Sequence, residues 1–491
     1  MLGRRPGFTL VAVLALALGI GANTAVFSVI RGVLLRSLPY REPDRLVAIW
    51  ESNLKANAAR ESSSPPNFED WREQNRCFDD MAAMAGAQAT LADEGDPEVL
   101  IGGMVTANFL DLFGIKPAIG RGFTAEDSRK DVIILSDVLW TRRFGRDPNI
   151  IGRRIRFTQM SGTGSGAVET VVGVMAPDFE PNFAGATPRE FWWPHADDLK
   201  ADRRSDFLRV FARLKHGISL AQARAEMSTV AARLADQYPD MNRAWTMEVN
   251  PLDEAIAGNV KRPLWLLLGS AGLLLLIACA NVGNLCLARA SERQREFAIR
   301  TALGGGAARM LRQLLTESLA LALIGGAAGL LLGIATLRGM LLVGASFLPR
   351  AADVRMDWTV MLFTFVAACF TAVLFGVLPA RQAARIELNE SLKGSGRGSA
   401  GPGRGQARSV LVAAEVALTL ILLVATGLLL RSFWDVQKVP LGFEPSHLLT
   451  ATVRLPGTAS DAAPAARFLP DLLARAERLP GVASVGAISA A

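Results

Sequence analysis

Four cysteines and three histidines are all this 491-residue chain holds of the side chains that most often bind metals or attack carbonyls. Cys279, Cys286 and Cys369 fall in apolar runs, so Cys77 stands alone in the large polar region and no disulfide is expected there. No Cys/His spacing fits a zinc site. His195 and His216 share the polar region but lie far apart in sequence, and His195 follows Trp192-Trp193-Pro194, a cluster that reads as a packed edge. The sequence contains no H-E-x-x-H pair, nucleophile elbow or phosphate loop. It also lacks a Walker motif. Acidic residues are numerous but scattered. The expectation is no catalytic, cofactor-binding or metal site, and no enzyme.

Aromatics make up only 7% of a chain that is 50% hydrophobic, so the apolar excess is Leu, Ala, Val and Gly. That mixture suits transmembrane helices. The net charge of +7 does not point to nucleic acid, because much of it flanks the apolar runs. Five runs are long enough to span a roughly 30 Å hydrocarbon core: about 8–30, 264–287, 314–336, 358–380 and 410–430. Six arginines lie from Arg289 to Arg312, and six basic residues, Lys393 among them, lie from Arg381 to Arg408. Short Lys/Arg-rich loops stay in the cytoplasm. The turn after the second span and the linker after the fourth are therefore inside, and residues 31–262 are outside. The fold class is a multi-pass α-helical membrane protein with a large α+β extracytoplasmic domain between its first two spans.

Within that domain the sequence predicts strands at Leu46–Trp50, Val132–Leu135, Arg154–Phe157, Thr170–Val174, Phe207–Leu214 and Trp245–Val249. Helices are expected over Ser62–Met84, Asp137–Phe144 and Ser219–Tyr238. The last carries Leu220, Ala223, Met227, Val230, Ala231 and Leu234 at helical spacing and ends at Pro239. Gly102, Gly103, Gly114, Gly120 and Gly122 read as turn glycines. The expected boundaries are 1–30 for the first span, 31–262 for the domain, 263–380 for a three-span module, 381–408 for a cytoplasmic linker, 409–431 for the fifth span, and 432–491 for the start of a second outer domain.

The cytoplasmic turn has a pattern of its own. Phe297, Ala298, Ala302 and Leu303 fit one face of a short helix set among Glu292, Arg293, Arg295, Glu296 and Arg300, with Gly304–Gly306 ending it. From the residues alone, this helix either lies on the lipid surface or docks into a groove on a cytoplasmic partner.

Several stretches together resemble the macrolide-exporter-type (type VII) ABC transporter permeases, with an FtsX-like permease module and a MacB-like periplasmic core domain. They are PGFTLVAVLALALGIGANTAVFS (6–28), LPYREPDRL (38–46), Ser136 to Gly152, VVGVMAPDF (171–179), LIACANVGN (276–284) and QLLTES (313–318). More narrowly, the chain is similar to duplicated orphan permeases of the acidobacterial type. The resemblance implies an inner-membrane permease subunit that relays energy by mechanotransmission. The coupling helix it implies is Glu296, Phe297, Ala298, Ile299, Arg300 and Leu303, contacting a separate cytoplasmic ABC ATPase. It implies no directly bound cofactor, ATP being used by the partner. Further implied partners are a periplasmic adaptor and either a second copy of the chain or a missing second half, since the chain reads as truncated within a second copy of the domain. The alternative function is a non-transport membrane scaffold or regulator controlling an extracytoplasmic partner.

Overall fold

The structure, a computed structural model, describes residues 6–53, 58–92, 96–160, 167–177, 179, 188–194, 202–292, 307–344, 348–384, 402–439, 448–450 and 462–487. The chain divides into two units, one of residues 1–36 and 257–447 and one of residues 37–256 and 448–491.

Among the described residues, the second unit is built on one mixed sheet of eleven strands. Its strands are β1 (Leu46–Asn53), β2 (Ala58–Glu61), β3 (Phe78–Leu91), β4 (Glu98–Val105), β5 (Ile119–Gly120), β6 (Val132–Leu135), β7 (Arg154–Met160), β8 (Ala167–Val174), β9 (Phe191–Trp193), β10 (Arg209–Leu214) and β11 (Trp245–Pro251). The order is β11-β1-β10-β3-β4-β9-β6-β8-β5, with β2 on β1 and β7 bridging β3 and β8. Alternate side chains of a strand point to opposite faces, and here both faces are covered. Val47, Ile49, Met81, Ala83, Ile133, Phe191 and Val210 enter one core. Leu46, Ala48, Ala82, Met84, Ile134, Trp192 and Phe211 enter the other.

Short helices complete the unit: α2 (Pro65–Gln74), α3 (Phe109–Phe113), α4 (Asp137–Phe144), α5 (Leu220–Gln237) and α6 (Pro239–Asn242). Ser219 and Gln222 form a reciprocal capping box at the start of α5. Of the predicted stripe, Ala223, Met227, Val230, Ala231 and Leu234 are buried and Leu220 is half-buried. Ser136 caps α4, accepting from the Leu139 amide at 3.0 Å, and Gly145 ends it in the left-handed region.

Three expectations for this unit need correction. The helix read over Ser62–Met84 stops at Gln74, and residues 78–91 form β3, the longest strand. Its Met-Ala-rich sequence favours helix locally, but burial between two cores overrides that preference. Gly102 and Gly103 lie in β4, not in a turn. A Cβ on Gly102 would meet the Phe191 ring at 2.4 Å, so glycine is what lets that ring lie against the strand. Trp192 and Trp193 are not at an edge: β9 sits between β4 and β6, and both indoles are fully buried.

The first unit is helical. Helix α1 (Pro6–Ile30) runs on through a π-helical turn, Arg31–Leu35. It is followed by α7 (Leu252–Glu292), α8 (Ala307–Gly344), α9 (Trp358–Ala384) and α10 (Pro402–Gln437). Among the described residues, four helical stretches are long and apolar enough to cross a membrane: Pro6–Leu35, Leu252–Cys286, Leu315–Gly344 and Val412–Gln437. The apolar stretch described in α9, Trp358–Leu374, is shorter. Helix α7 begins at Leu252, before the start near residue 264 expected for the second span, and Pro263 lies inside it. The charged segment from Asp253 to Arg262 is therefore helical and continues β11 directly. The second unit also includes a last helix, α11 (Ala462–Glu477), after which residues 482–487 carry no regular structure.

Candidate functional site

The sequence-predicted coupling residues Glu296, Phe297, Ala298, Ile299, Arg300 and Leu303 lie outside the described residues, as does His195. What the structure places is the frame around that turn. Helix α7 leads into it at Glu292 and α8 leads out from Ala307.

Small residues let α1 and α8 approach closely. A Cβ on Gly325 would sit 2.7 Å from Leu16 Cβ, and one on Gly329 would sit 3.0 Å from Ile20 Cβ. From the other side, a Cβ on Gly21 would reach the Gly329 carbonyl at 2.9 Å. Spacing of four residues puts Gly325, Gly329 and Gly333 on one face of α8, the small-residue seam by which membrane helices pack. The same device joins α8 to α9, where Gly326 faces Ala368, and α1 to α7, where Gly19 faces Leu275 and Ala278.

Polar and aromatic groups join α1 to its other two neighbours, α7 and α9. The Asn23 amide donates to the carbonyl of Gly19 on its own helix at 2.9 Å and to that of Ala271 on α7 at 2.6 Å. The Thr24 and Thr364 hydroxyls meet at 3.0 Å between α1 and α9. Each is also within donating distance of its own helix, at Ile20 and Val360, so two hydroxyl protons serve three contacts. Phe27 stacks on Phe363 with ring centroids 4.1 Å apart. Buried polar side chains in a membrane bundle are costly unless paired, and these three helices pair them with one another. The sequence signal was present: Asn23, Thr24 and Ser28 interrupt an apolar run. Without the neighbouring helices their partners could not be assigned.

At the outer end, the loop between α8 and α9 lies against the last turn of α1. Arg31 Nε is 3.5 Å from Asp357, and Arg36 is 3.6 Å from Asp353. Asp357 is held below the usual carboxylate range although burial opposes this; the Val360 amide and Arg31 outweigh it.

In the second unit, Glu51 Oε1 accepts from Ser63 Oγ at 3.0 Å and from Asn67 Nδ2 at 2.9 Å. Asn67 Oδ1 in turn accepts from Arg203 at 2.6 Å and from Asn242 at 3.1 Å. Burial, aided by nearby Asp206, pushes the Glu51 carboxyl up to about 7 against these hydrogen bonds. Burial and Asp131 push Glu169 up to about 8. His216 is exposed beside Arg45, its Nε2 2.8 Å from the guanidinium. Among the described residues no three His, Cys, Asp or Glu side chains are placed to hold a metal ion.

Comparison with known proteins decides what this frame belongs to. Residues 9–230 match the MacB-like periplasmic core domain, and residues 269–388 match the FtsX-like permease C-terminal family. The chain is a permease of the FtsX/MacB type. It belongs among the ABC transporter permeases of the inner membrane, with its sheet domain extracytoplasmic. The macrolide export ATP-binding/permease protein MacB of Hahella chejuensis is 28% identical over 293 residues, 59% of this chain and 42% of that protein. The pyoverdine export ATP-binding/permease protein PvdT of Pseudomonas syringae pv. tomato is 33% identical over 170 residues, 34% of this chain and 24% of that one. The permease thus spans less than half the length of these curated relatives. The crystal structure of the periplasmic region of MacB from Actinobacillus actinomycetemcomitans aligns at a TM-score of 0.34 and 11% identity, over 48% of this chain and 97% of that one, a likeness too slight to add to the assignment.

Proposed function

We propose that the permease is moved by an ABC ATPase acting through the turn between α7 and α8, and that it relays this motion to its extracytoplasmic domain to drive export. The observation that carries this reading is the pairing of the two family matches on one chain that has no Walker motif. The relatives are named ATP-binding/permease proteins, and hydrolysis here has to come from outside these 491 residues. Glu296 to Leu303 is the docking segment, with Ala298 and Leu303 as its apolar contact and Arg295, Glu296 and Arg300 as its rim. The cargo is a small organic molecule, a class supported by the macrolide and pyoverdine of the relatives' names. A periplasmic adaptor receives it. Every described side chain of α10 is exposed or half-exposed, which supports a further membrane segment as its neighbour, from a second copy or a second half.

The test is affinity purification of the full chain from its native membrane, with ATPase activity measured in the eluate. Leu303→Asp puts an unpaired carboxylate into the contact, at a cost of several kcal/mol. Activity that co-purifies with the wild type and is lost in Leu303→Asp, with membrane insertion retained, is the expected result. An eluate without ATPase activity, or activity indifferent to the substitution, removes the coupling and leaves the orphan scaffold or regulator as the better account.

A further inference from the structure

Helix α1 does not finish as an ordinary α-helix. Its last turn, Arg31–Leu35, is π-helical, closed by the Arg36 amide donating to the Arg31 carbonyl at 2.9 Å. Such turns are rare, and they leave carbonyls at the helix end in need of partners. Arg350 supplies them. Its Nη1 donates to the Arg36 carbonyl at 2.8 Å and lies 3.4 Å from the Val33 carbonyl. Its Nε donates to Asp353 at 2.9 Å. A cation at a helix C-terminus is favoured electrostatically as well as by hydrogen bonding.

Two features show that this contact is built rather than incidental. Arg350 is only 3% exposed and is held in the left-handed region, φ 58°, which a residue with a Cβ seldom adopts unless its surroundings enforce it. On the α1 side, Gly32 lies so close to the loop that a Cβ would be 2.8 Å from Val354 Cα. Around this centre the Arg31–Asp357 and Arg36–Asp353 pairs join the same two segments, and Ser28 Oγ reaches Met356 Sδ at 3.5 Å. Arg350, Asp353 and Asp357 thus tie one turn of α1 to the loop that joins α8 and α9.

We propose that Arg350 is the positioning residue of a latch. The loop of residues 348–357 grips the π-helical turn of α1, so that a displacement of the chain at Arg36 carries the α8–α9 hairpin with it. The grip follows from the geometry of these helices. Its use in relaying motion rests on the permease reading above.

Amide hydrogen exchange on the full chain in lipid nanodiscs tests the latch and needs no ATPase, so the latch and the coupling hypothesis fail separately. In Arg350→Ala, exchange over residues 31–36 and 350–354 should accelerate about tenfold or more, with residues 16–24 unchanged. Arg350→Lys keeps the charge but not the guanidinium fork, and should fall between alanine and wild type. Gly32→Val leaves Arg350 in place but wedges Val354 away from α1, and should reproduce the local acceleration. Unchanged exchange over residues 31–36 in both Arg350→Ala and Gly32→Val would overturn the latch. An equal rise along the whole of α1 would overturn it too, since Arg350 would then serve general stability only.

Discussion

The Asn23 side chain on α1 donates to the Ala271 carbonyl on α7 across 2.6 Å, inside the apolar part of both helices. Interhelical hydrogen bonds in membranes contribute about 0.6 kcal/mol on average and up to about 1.7 kcal/mol. Asn23→Leu should therefore lower the unfolding free energy of the bundle by about 1 kcal/mol without preventing insertion. Reversible unfolding in mixed micelles reads this directly, and an unchanged or raised stability would show that the bond is incidental.

Glycine positions in the bundle should split into two groups. Gly329 faces Ile20 and the Ala17 carbonyl closely, whereas a Cβ on Gly272 would meet nothing within 4 Å. Gly329→Leu should cost about 1–3 kcal/mol, the usual range for overpacking, and Gly272→Leu should be near neutral. Equal effects at the two positions would contradict the close approach of α1 and α8.

The extracytoplasmic domain should lose stability as pH rises through neutrality. Glu51 has a folded-state pKa near 7, against 4.5 for the free side chain. Protons are then bound more tightly in the folded state, so its contribution is fully present below about pH 4.5 and is lost by about pH 7. The loss is on the order of 3 kcal/mol. Glu169, pushed up to about 8, extends the same trend. Glu51→Gln keeps an oxygen to accept from Ser63 and Asn67 but cannot ionise. Chemical denaturation between pH 5 and 8 should show a shallower decline in Glu51→Gln than in the wild type, and parallel curves would refute the assignment.

Sidedness gives a further expectation. Ala125, on the exposed part of the sheet domain, and Arg397, in the basic linker, should lie on opposite sides of the membrane. In a cysteine-depleted background, an impermeant thiol reagent with access through the outer membrane should label Ala125→Cys in whole cells and spare Arg397→Cys. Labelling at 397 would break the five-span alternation.

How far the sequence disclosed this architecture depended on whether local and tertiary preferences agreed. At α4 and α5 they did: Ser136 and Ser219 are strong caps, and the apolar stripe of α5 has one exposed and one buried face. Val132–Leu135 was legible because four consecutive β-branched or aliphatic residues suit a strand covered on both sides. Strand β3 was misread because Met81 to Ala85 favour helix and only the neighbouring strands make them extended. Gly102 was misread because the ring that requires it, Phe191, is far away in sequence. In the bundle, the spans could be read directly, while Arg350 could not be singled out among the loop arginines until its acceptors at Val33 and Arg36 were in place.

Cross-linking from position 298 addresses the central claim most directly. A photoreactive side chain replacing Ala298 sits on the proposed apolar face of the turn between α7 and α8. In native membranes supplied with ATP, it should capture one cytoplasmic nucleotide-binding protein, and Leu303→Asp should abolish the product. Capture of lipid alone, or of a protein product unchanged by Leu303→Asp, would contradict coupling through this turn.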